Sequence, residues 1–572
     1  MVRNNIFIWD KVKNGIMKHM ITIGLVVLFP YTSLYANYKT PFLVNGISPF
    51  YDKLTDTYLL SIDESIWGGN WQADVSLSDN SSWNYLTING TSVNGKFTFT
   101  DINGEKSYQI EASSQTEKKS FLLRFTFLPI IQFAEGVFNM DYTTDNLVIQ
   151  YSGKISETMP AKIKWRGGTT NIEGKNKRNY KVKFIDDHGN KYERSFFNMR
   201  KDDVWILDAG QVDMFRMRNL IASQIWQDFA SKPYYVDREP KVLSATRGQM
   251  VEVFLGEQYQ GIFNLCEPID RKQMKLKKFD SDGTIHGGLW KATSFGDATF
   301  WNIPAEYDNT KEQNDVWEIK YPKIDDLCPS DYSTLYNAIM FVATASDEDF
   351  QLHIAEYFDI PVLIDYYLFV ALTNGFDICG KNVYWAVYDK VKSKMLTPAM
   401  WDLDCTMGQN FTDAPLHPDY VAYDYPLLTP NKIFYMLFRL NPNNFKETTY
   451  KRYSELRKSL FHTASLQQRY IDAYNRIFNS GAVAREEKRW SNDTDISGLH
   501  LDLKAELDYI CDWITHRMEF LDNQFSYTQT SISPIEHNPN ARDKRCFTIK
   551  GTIASPTYKG IVINGGKLEL RK

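Results

Sequence analysis

Apolar and polar positions alternate through residues 37–127. Thr57-Tyr-Leu-Leu-Ser-Ile and Lys96-Phe-Thr-Phe-Thr show the two-residue period of half-buried strands, and Asn-Gly pairs at Asn89, Asn94 and Asn103 punctuate them as hairpin turns do. This predicts a small β-sandwich-like accessory module. Further on, Asn146–Tyr151, Ala161–Trp165, Tyr180–Phe184 and Met250–Leu255 read as strands. One helix is expected from about Val212 to Ala230, where Phe215, Leu220, Ile221, Ile225 and Phe229 share a face and Asp213 is placed to cap the start. Residues 271–350 keep no period and are expected to be loop-rich. Pro361–Thr373 is almost wholly apolar or aromatic, the mark of a buried helix. A hairpin follows, with strands near Val383–Tyr388 and Met395–Met400. The chain then reads as mainly helical to Phe525, ending on Leu503, Leu507, Ile510, Ile514, Met518 and Leu521 at helical spacing. After Ser526 a polar linker with Pro534 and Pro539 leads to a short β-patterned tail.

The first residues set the expected compartment. Lys11, Lys13 and Lys18 precede the apolar run Met20–Phe29, and Ser33-Leu-Tyr-Ala36 offers a small-residue exit. That order describes a secretory signal peptide over 1–36, and the run is short for a membrane span of roughly 20 residues. No later run looks membrane-spanning, so the expected location is secreted, cell-surface or periplasmic. With 43% hydrophobic and 24% charged residues, the 572-residue chain is neither disordered nor low-complexity. A net charge of -5 excludes a globally basic nucleic-acid binder. Six cysteines without C-x-x-C spacing, and nine histidines outside metal spacing, argue against a zinc site.

Three segments carry candidate chemistry. The first is Trp165-Arg-Gly-Gly-Thr-Thr, lying between strands within Ala161–Lys201, where twelve Lys or Arg stand against four Asp or Glu. Small residues let backbone N–H groups approach an anion, although tight turns use glycine for conformational reasons too. In Tyr180-Lys-Val-Lys-Phe the two lysines share a face. That face looks either to solvent or into a nucleotide cleft. The second segment is Asn374-Gly-Phe-Asp-Ile-Cys-Gly-Lys-Asn382, and the third is Trp401-Asp-Leu-Asp-Cys-Thr-Met-Gly408. A hairpin returns the chain to its starting point, so Asn382 and Asp402 should end close together. Oxygen donors converging there suit Mg²⁺, which takes phosphate oxygens as further ligands. Asp377 and Asn382 have the D-x-x-x-x-N spacing of phosphoryl-transfer enzymes, in which the Asp orients a hydroxyl and the Asn holds metal. Taken alone, Trp-Asp-Leu-Asp reads first as a helix or turn cap plus a buried salt bridge.

In order, these segments resemble the spore-coat protein H (CotH) kinase family. The matching pieces are Arg166-Gly-Gly-Thr-Thr, Lys177-Arg-Asn-Tyr-Lys-Val-Lys-Phe, Asp213-Met-Phe-Arg-Met-Arg-Asn-Leu-Ile-Ala and Gly256-Glu-Gln-Tyr-Gln-Gly-Ile-Phe-Asn-Leu-Cys-Glu267. Asn374, Asp377, Asn382, Trp401-Asp-Leu-Asp, Arg489-Trp490 and Trp513-Ile-Thr-His-Arg follow. The resemblance spans roughly 128–525 and implies an α+β fold: an atypical protein-kinase-like two-lobed domain over 128–525. The all-β module of 37–127 would precede it, and a linker with a short β tail over 526–572 would follow. It implies ATP, Mg²⁺ or Mn²⁺, and protein substrates phosphorylated on serine. Asp377 then matches the catalytic aspartate. Asn382 and Asp402 match metal positions, with Asp404 close enough to help. Arg166, Gly167 and Gly168 would contact phosphates, and Lys183, or failing it Lys181, would neutralise them. Glu267 would pair a lysine, touch nucleotide or serve structure alone, and Arg218 would be a buried partner of Asp213. The tail is similar to short β tails ending many secreted Bacteroidetes proteins, and with the expected signal peptide this implies an extracytoplasmic member of that type. The alternative function is a secreted adhesin or glycan-binding protein on an inactive kinase-like scaffold, with a glycan or host surface as partner.

Overall fold

The computed structural model describes residues 40–78, 82–93, 95–168, 176–409, 430–492 and 500–528. It also gives the backbone of the strands Phe547–Thr548, Gly560–Asn564 and Lys567–Arg571. The expected leader over 1–36 and most of the linker after Ser526 lie outside the described residues. The three tail strands pair antiparallel in one small sheet. The whole is a mixed α+β protein whose N-terminal part is all β.

In that part, the three-stranded sheet of Phe42–Val44, Trp71–Leu77 and Gly95–Phe99 shares one core with a six-stranded sheet. Phe42, Val75, Leu86, Phe99, Tyr108 and Phe125 meet between them. The alternation expected for Thr57–Ile62 is not seen, because strand Thr57–Ser61 is buried at every position. Tyr58 and Leu60 face the module's own core, while Leu59 packs on the other side against Ile130, Phe254 and Tyr259 of the next sheet. The strand is an internal one, flanked by Phe50–Asp52 and, in parallel, by Lys118–Thr126.

The next sheet closes on itself. Strand Ile130–Phe133 pairs antiparallel with Thr143–Tyr151 and parallel with Gly248–Leu255. Met159–Arg166, Asn179–Phe184, Val204–Asp208 and Gln258–Cys266 complete the ring, which therefore leaves no free edge within it. Phe133, Ile149, Ile163, Trp205, Val251 and Phe263 fill its core. In Asn179–Phe184, Tyr180, Val182 and Phe184 join that core, so Lys181 and Lys183 point away from it together.

Residues 271–350 are more regular than their sequence suggests. Strands Gly288–Ala292 and Trp317–Tyr321 enter a five-stranded sheet with Val383–Val387 and Thr397–Met400, and helices Ser333–Thr344 and Asp347–Tyr357 follow. The strands are short and lie between long irregular stretches, which breaks any period. The anticipated hairpin is present, with Val383 opposite Met400. The helix expected from Val212 instead begins at Arg218 and runs to Phe229. Arg216 takes a left-handed φ of 65°, which stops a helix from passing through it. Asp213 is not the N-cap, which falls to Met217 without a side-chain cap bond, although its carboxylate accepts from the Phe215 N–H at 2.8 Å and the Arg218 N–H at 2.7 Å. Ile360–Thr373 is the buried helix, with Phe369 packed edge-on against Trp226. Among the described residues no helix is long and apolar enough to cross a membrane.

Glu486 ties the closed sheet to the C-terminal helices. Its Oε1 accepts from Lys177 Nζ at 2.7 Å and Arg216 Nε at 2.8 Å, and its Oε2 from the Ile262 N–H at 2.8 Å. Gly261, at φ 91°, leaves the room: a Cβ there would lie 1.8 Å from Oε2. Replacing Glu486 by Ala strands two buried cations, so unfolding in urea should show a loss of about 3–5 kcal/mol. A loss below about 1 kcal/mol contradicts this role.

Candidate functional site

Two loops meet at the mouth of the hairpin. The first follows helix Ile360–Thr373 and turns through a short 3₁₀ segment, Phe376–Cys379, which buries Asp377. The second leaves strand Thr397–Met400 and carries Asp402 and Asp404. Left-handed φ at Asn374, Asn382 and Asp402 (50°, 60° and 62°) turns the chain sharply at three of these positions. Asn and Asp tolerate that conformation better than most side chains.

Asp377 Oδ2 is engaged twice, by Lys381 Nζ at 2.9 Å and by the Asn382 amide nitrogen at 3.3 Å. Asp377 Oδ1 is buried and has no hydrogen-bond partner. One oxygen is thus held and the other left ready to accept. Burial raises the pKa of Asp377, Lys381 pulls it down, and nearby Asp402 pushes it up. Because the Asn382 amide spends its NH₂ on Asp377, its carbonyl oxygen is free of that bond and suited to a cation.

Asp402 is the electrostatic centre of the group. It lies close enough to raise the proton affinity of Asp377, Asp404 and Asp208. Half-buried Asp404 is pushed well above the usual carboxylate range, first by burial and then by Asp402, Asp208, Asp213 and Asp377. Repelling carboxylates of this kind are relieved by a divalent cation between them, so the donor set fits Mg²⁺ or Mn²⁺. Among the described residues, however, the acids whose oxygens all lie within 4.8 Å of one another are Glu193, Asp202 and Asp203. Those three surround Lys272, at 3.2, 2.6 and 3.5 Å, and form an ion-pair cluster. Among the described residues, the acids at the hairpin mouth do not come together as closely.

Asp208 and Asn219 escaped the sequence reading. Asp208 ends strand Val204–Asp208. Asn219 donates to it at 2.8 Å and accepts from the Leu403 N–H at 3.1 Å, so one amide holds the two acidic loops side by side. The available signal was an acid after an apolar strand, Trp205-Ile-Leu-Asp, which parallels Trp401-Asp-Leu-Asp. Lys291 is a third omission: it sits near Asp402, and burial lowers its pKa.

Beside Trp401 opens a cavity of about 620 Å³, with Lys162, Arg166, Lys181, Lys183, Lys320 and Lys323 among its walls. Arg166 stacks on the Trp401 ring at 5.1 Å and so joins the closed sheet to the acidic loop. Gly167 takes φ 106°, and Gly168 has open space where a Cβ would stand. The Thr-Thr that follows lies outside the described residues. Lys183 rests over the Tyr142 ring at 4.5 Å. Lys181 is crowded by cations, and its pKa falls to about 7 through burial and then Lys323, Lys183, Arg166 and Lys320.

Glu267 contacts neither lysine. Arg247 holds both its oxygens, at 2.9 and 2.7 Å, and the Arg200 N–H donates to it at 2.6 Å. Of the three roles open to it, these bonds correspond to the structural one. Arg218 is the buried partner of Asp213 at 2.8 Å, as expected, and also pairs with Glu506. Cys379 and Cys405 are both buried and near enough to influence one another, and no disulfide joins them. Cys546 lies outside the described residues.

Residues 163–521 match the family model described as CotH kinase protein, and a kinase-like function comes with that match. No curated protein matches the chain.

A polyanion in this cavity should draw a proton onto Lys181. Below about pH 7 the lysine is already charged; above it, binding must take up a proton and affinity falls as pH rises. Calorimetry with pyrophosphate at pH 8, in buffers of different ionisation enthalpy, should show proton uptake that Lys181→Met removes. Uptake unchanged in the variant contradicts this.

Proposed function

Because the chain belongs to the CotH kinase family, we propose that it transfers the γ-phosphate of ATP to a protein hydroxyl, with serine as acceptor and Mg²⁺ or Mn²⁺ required. The observation that carries this reading is Asp377: a buried carboxylate with one oxygen fixed by Lys381 and Asn382 and the other unpartnered. An oxygen in that state can orient an acceptor hydroxyl and take its proton.

The Asn382 carbonyl oxygen, Asp402 and Asp404 would hold the metal ion. Held there, an ion would supply charge neutralisation to the phosphates during transfer. Arg166 and the backbone of Gly167 and Gly168 border the phosphates. Lys181 takes precedence over Lys183 here, since Lys181 is the more crowded by cations and has the most to gain from an anion. Glu267 acts from a distance, fixing Arg247 and the Arg200 backbone at the edge of the cavity. We take 128–525 as the kinase-like unit and 37–127 as an accessory module. An extracytoplasmic location, expected from residues 1–36, is part of the same proposal.

With labelled ATP and Mn²⁺ or Mg²⁺, Asp377→Asn should lower the transfer rate about 10²–10⁴-fold. Its urea midpoint should stay close to wild type, since the substitution keeps the shape. Asp402→Asn should abolish the dependence on metal together with the activity. Wild-type protein that binds no Mg-ATP at millimolar concentration, or an Asp377→Asn variant of full activity, contradicts the proposal.

A further inference from the structure

A second basic cavity, of about 240 Å³, lies between strand Lys118–Thr126 and helix Ala482–Arg489. None of its lining residues borders the cavity beside Trp401. Leu54, Leu59, Leu122 and Phe254 give it apolar walls, and Arg124 and Arg485 border the same space.

Arg124 makes no hydrogen bond or ion pair among the described residues, and its Nε is buried without a partner. Arg485 has a side chain only 10% exposed; its Nε and Nη2 hold Glu252, and its Nη1 is buried without a partner. The two guanidinium groups feel one another's charge: burial first, and then Arg485, disfavours the cationic form of Arg124. Lys488 adds a further cation to the lining. Asp52 is the acid that borders the cavity, and its carboxylate already accepts from the Leu54 and Tyr259 N–H groups and the Thr55 hydroxyl. Glu252 is occupied by Arg485.

A half-buried guanidinium with no counter-ion among the described residues, as at Arg124, is costly to keep, and an oxyanion in the cavity would pair with it. The planar fork of arginine matches tetrahedral phosphate oxygens. We propose that this cavity binds a phosphate group, either the free ion or one carried on a serine side chain, with the apolar walls covering the stem of the latter. The site stands apart from the transfer chemistry proposed above, and its test does not depend on that chemistry.

The full chain is titrated by calorimetry with inorganic phosphate and with a phosphoserine peptide, at constant ionic strength set with chloride. The unphosphorylated peptide serves as control. In Arg124→Gln, binding should weaken roughly ten- to hundredfold, the effect of losing a charge-assisted pair of hydrogen bonds. Lys181→Gln should retain this binding, which tells the site from the cavity beside Trp401. Arg124→Gln without ligand should melt no lower than wild type, because it removes an unpaired half-buried charge; this guards against a folding defect. Tighter binding of the peptide identifies a phosphorylated side chain as the ligand, and equal binding identifies the free ion. Phosphate binding that is absent from wild type, or unchanged in Arg124→Gln, overturns the proposal.

Discussion

One buried cation sets the position of the acidic loop. The guanidinium of Arg218 donates to the carbonyl of Thr406 at 3.0 Å, to Asp213 at 2.8 Å and to the Gln409 side chain at 3.2 Å, and it pairs with Glu506. The loop after Asp402, the turn before helix Arg218–Phe229 and the long helix Leu503–Gln524 therefore share one charge. Such a cluster adds little net stability, because desolvating each ion costs several kcal/mol. What it supplies is placement. Asn219, the next residue, then holds Asp208 against Leu403 and keeps mutually repelling acids in one place.

That placement brings opposite charges side by side. Acids gather at the hairpin mouth and bases line the neighbouring cavity, with Arg166 on the Trp401 ring at the boundary between them. Each set is neutralised only in part: Lys381 pairs with Asp377, and Lys320 with Glu318. Asp404 is driven toward its protonated form and Lys181 toward its neutral form, each by burial first and by like-charged neighbours after that. A divalent ion on one side and a polyphosphate on the other would relieve both strains at once. Elsewhere in the cavity wall the charges are already paired: Asp202 and Asp203, with Glu193, enclose Lys272.

Much of this was legible in the sequence where short-range rules apply. The hairpin ladder that joins Asn382 to Asp402 follows from chain return alone, and the Val383–Met400 register bears it out. The apolar run of helix Ile360–Thr373 and the strand alternation that pairs Lys181 with Lys183 were equally readable. Long-range closure was not. Nothing local announces that strand Ile130–Phe133 pairs on both sides to close a sheet, or that Leu59 packs against a second core. The helix start was misplaced because its apolar pattern continues through a turn that Arg216 breaks with a left-handed φ. The roles left open for Glu267 could not be narrowed locally, because its carboxylate partner, Arg247, comes from outside its motif. Asp208 and Asn219 went unnoticed because their value lies in a contact across the fold to Leu403.

The most direct measurement is a crystal structure with Mn²⁺ and a non-hydrolysable ATP analogue, using anomalous scattering to locate the ion. The account predicts a manganese peak bounded by the Asn382 carbonyl oxygen, Asp402 and Asp404, with the triphosphate reaching from it toward Arg166 and Lys181. Manganese at Glu193, Asp202 and Asp203 instead, or no ion at the hairpin mouth with nucleotide bound, would contradict it.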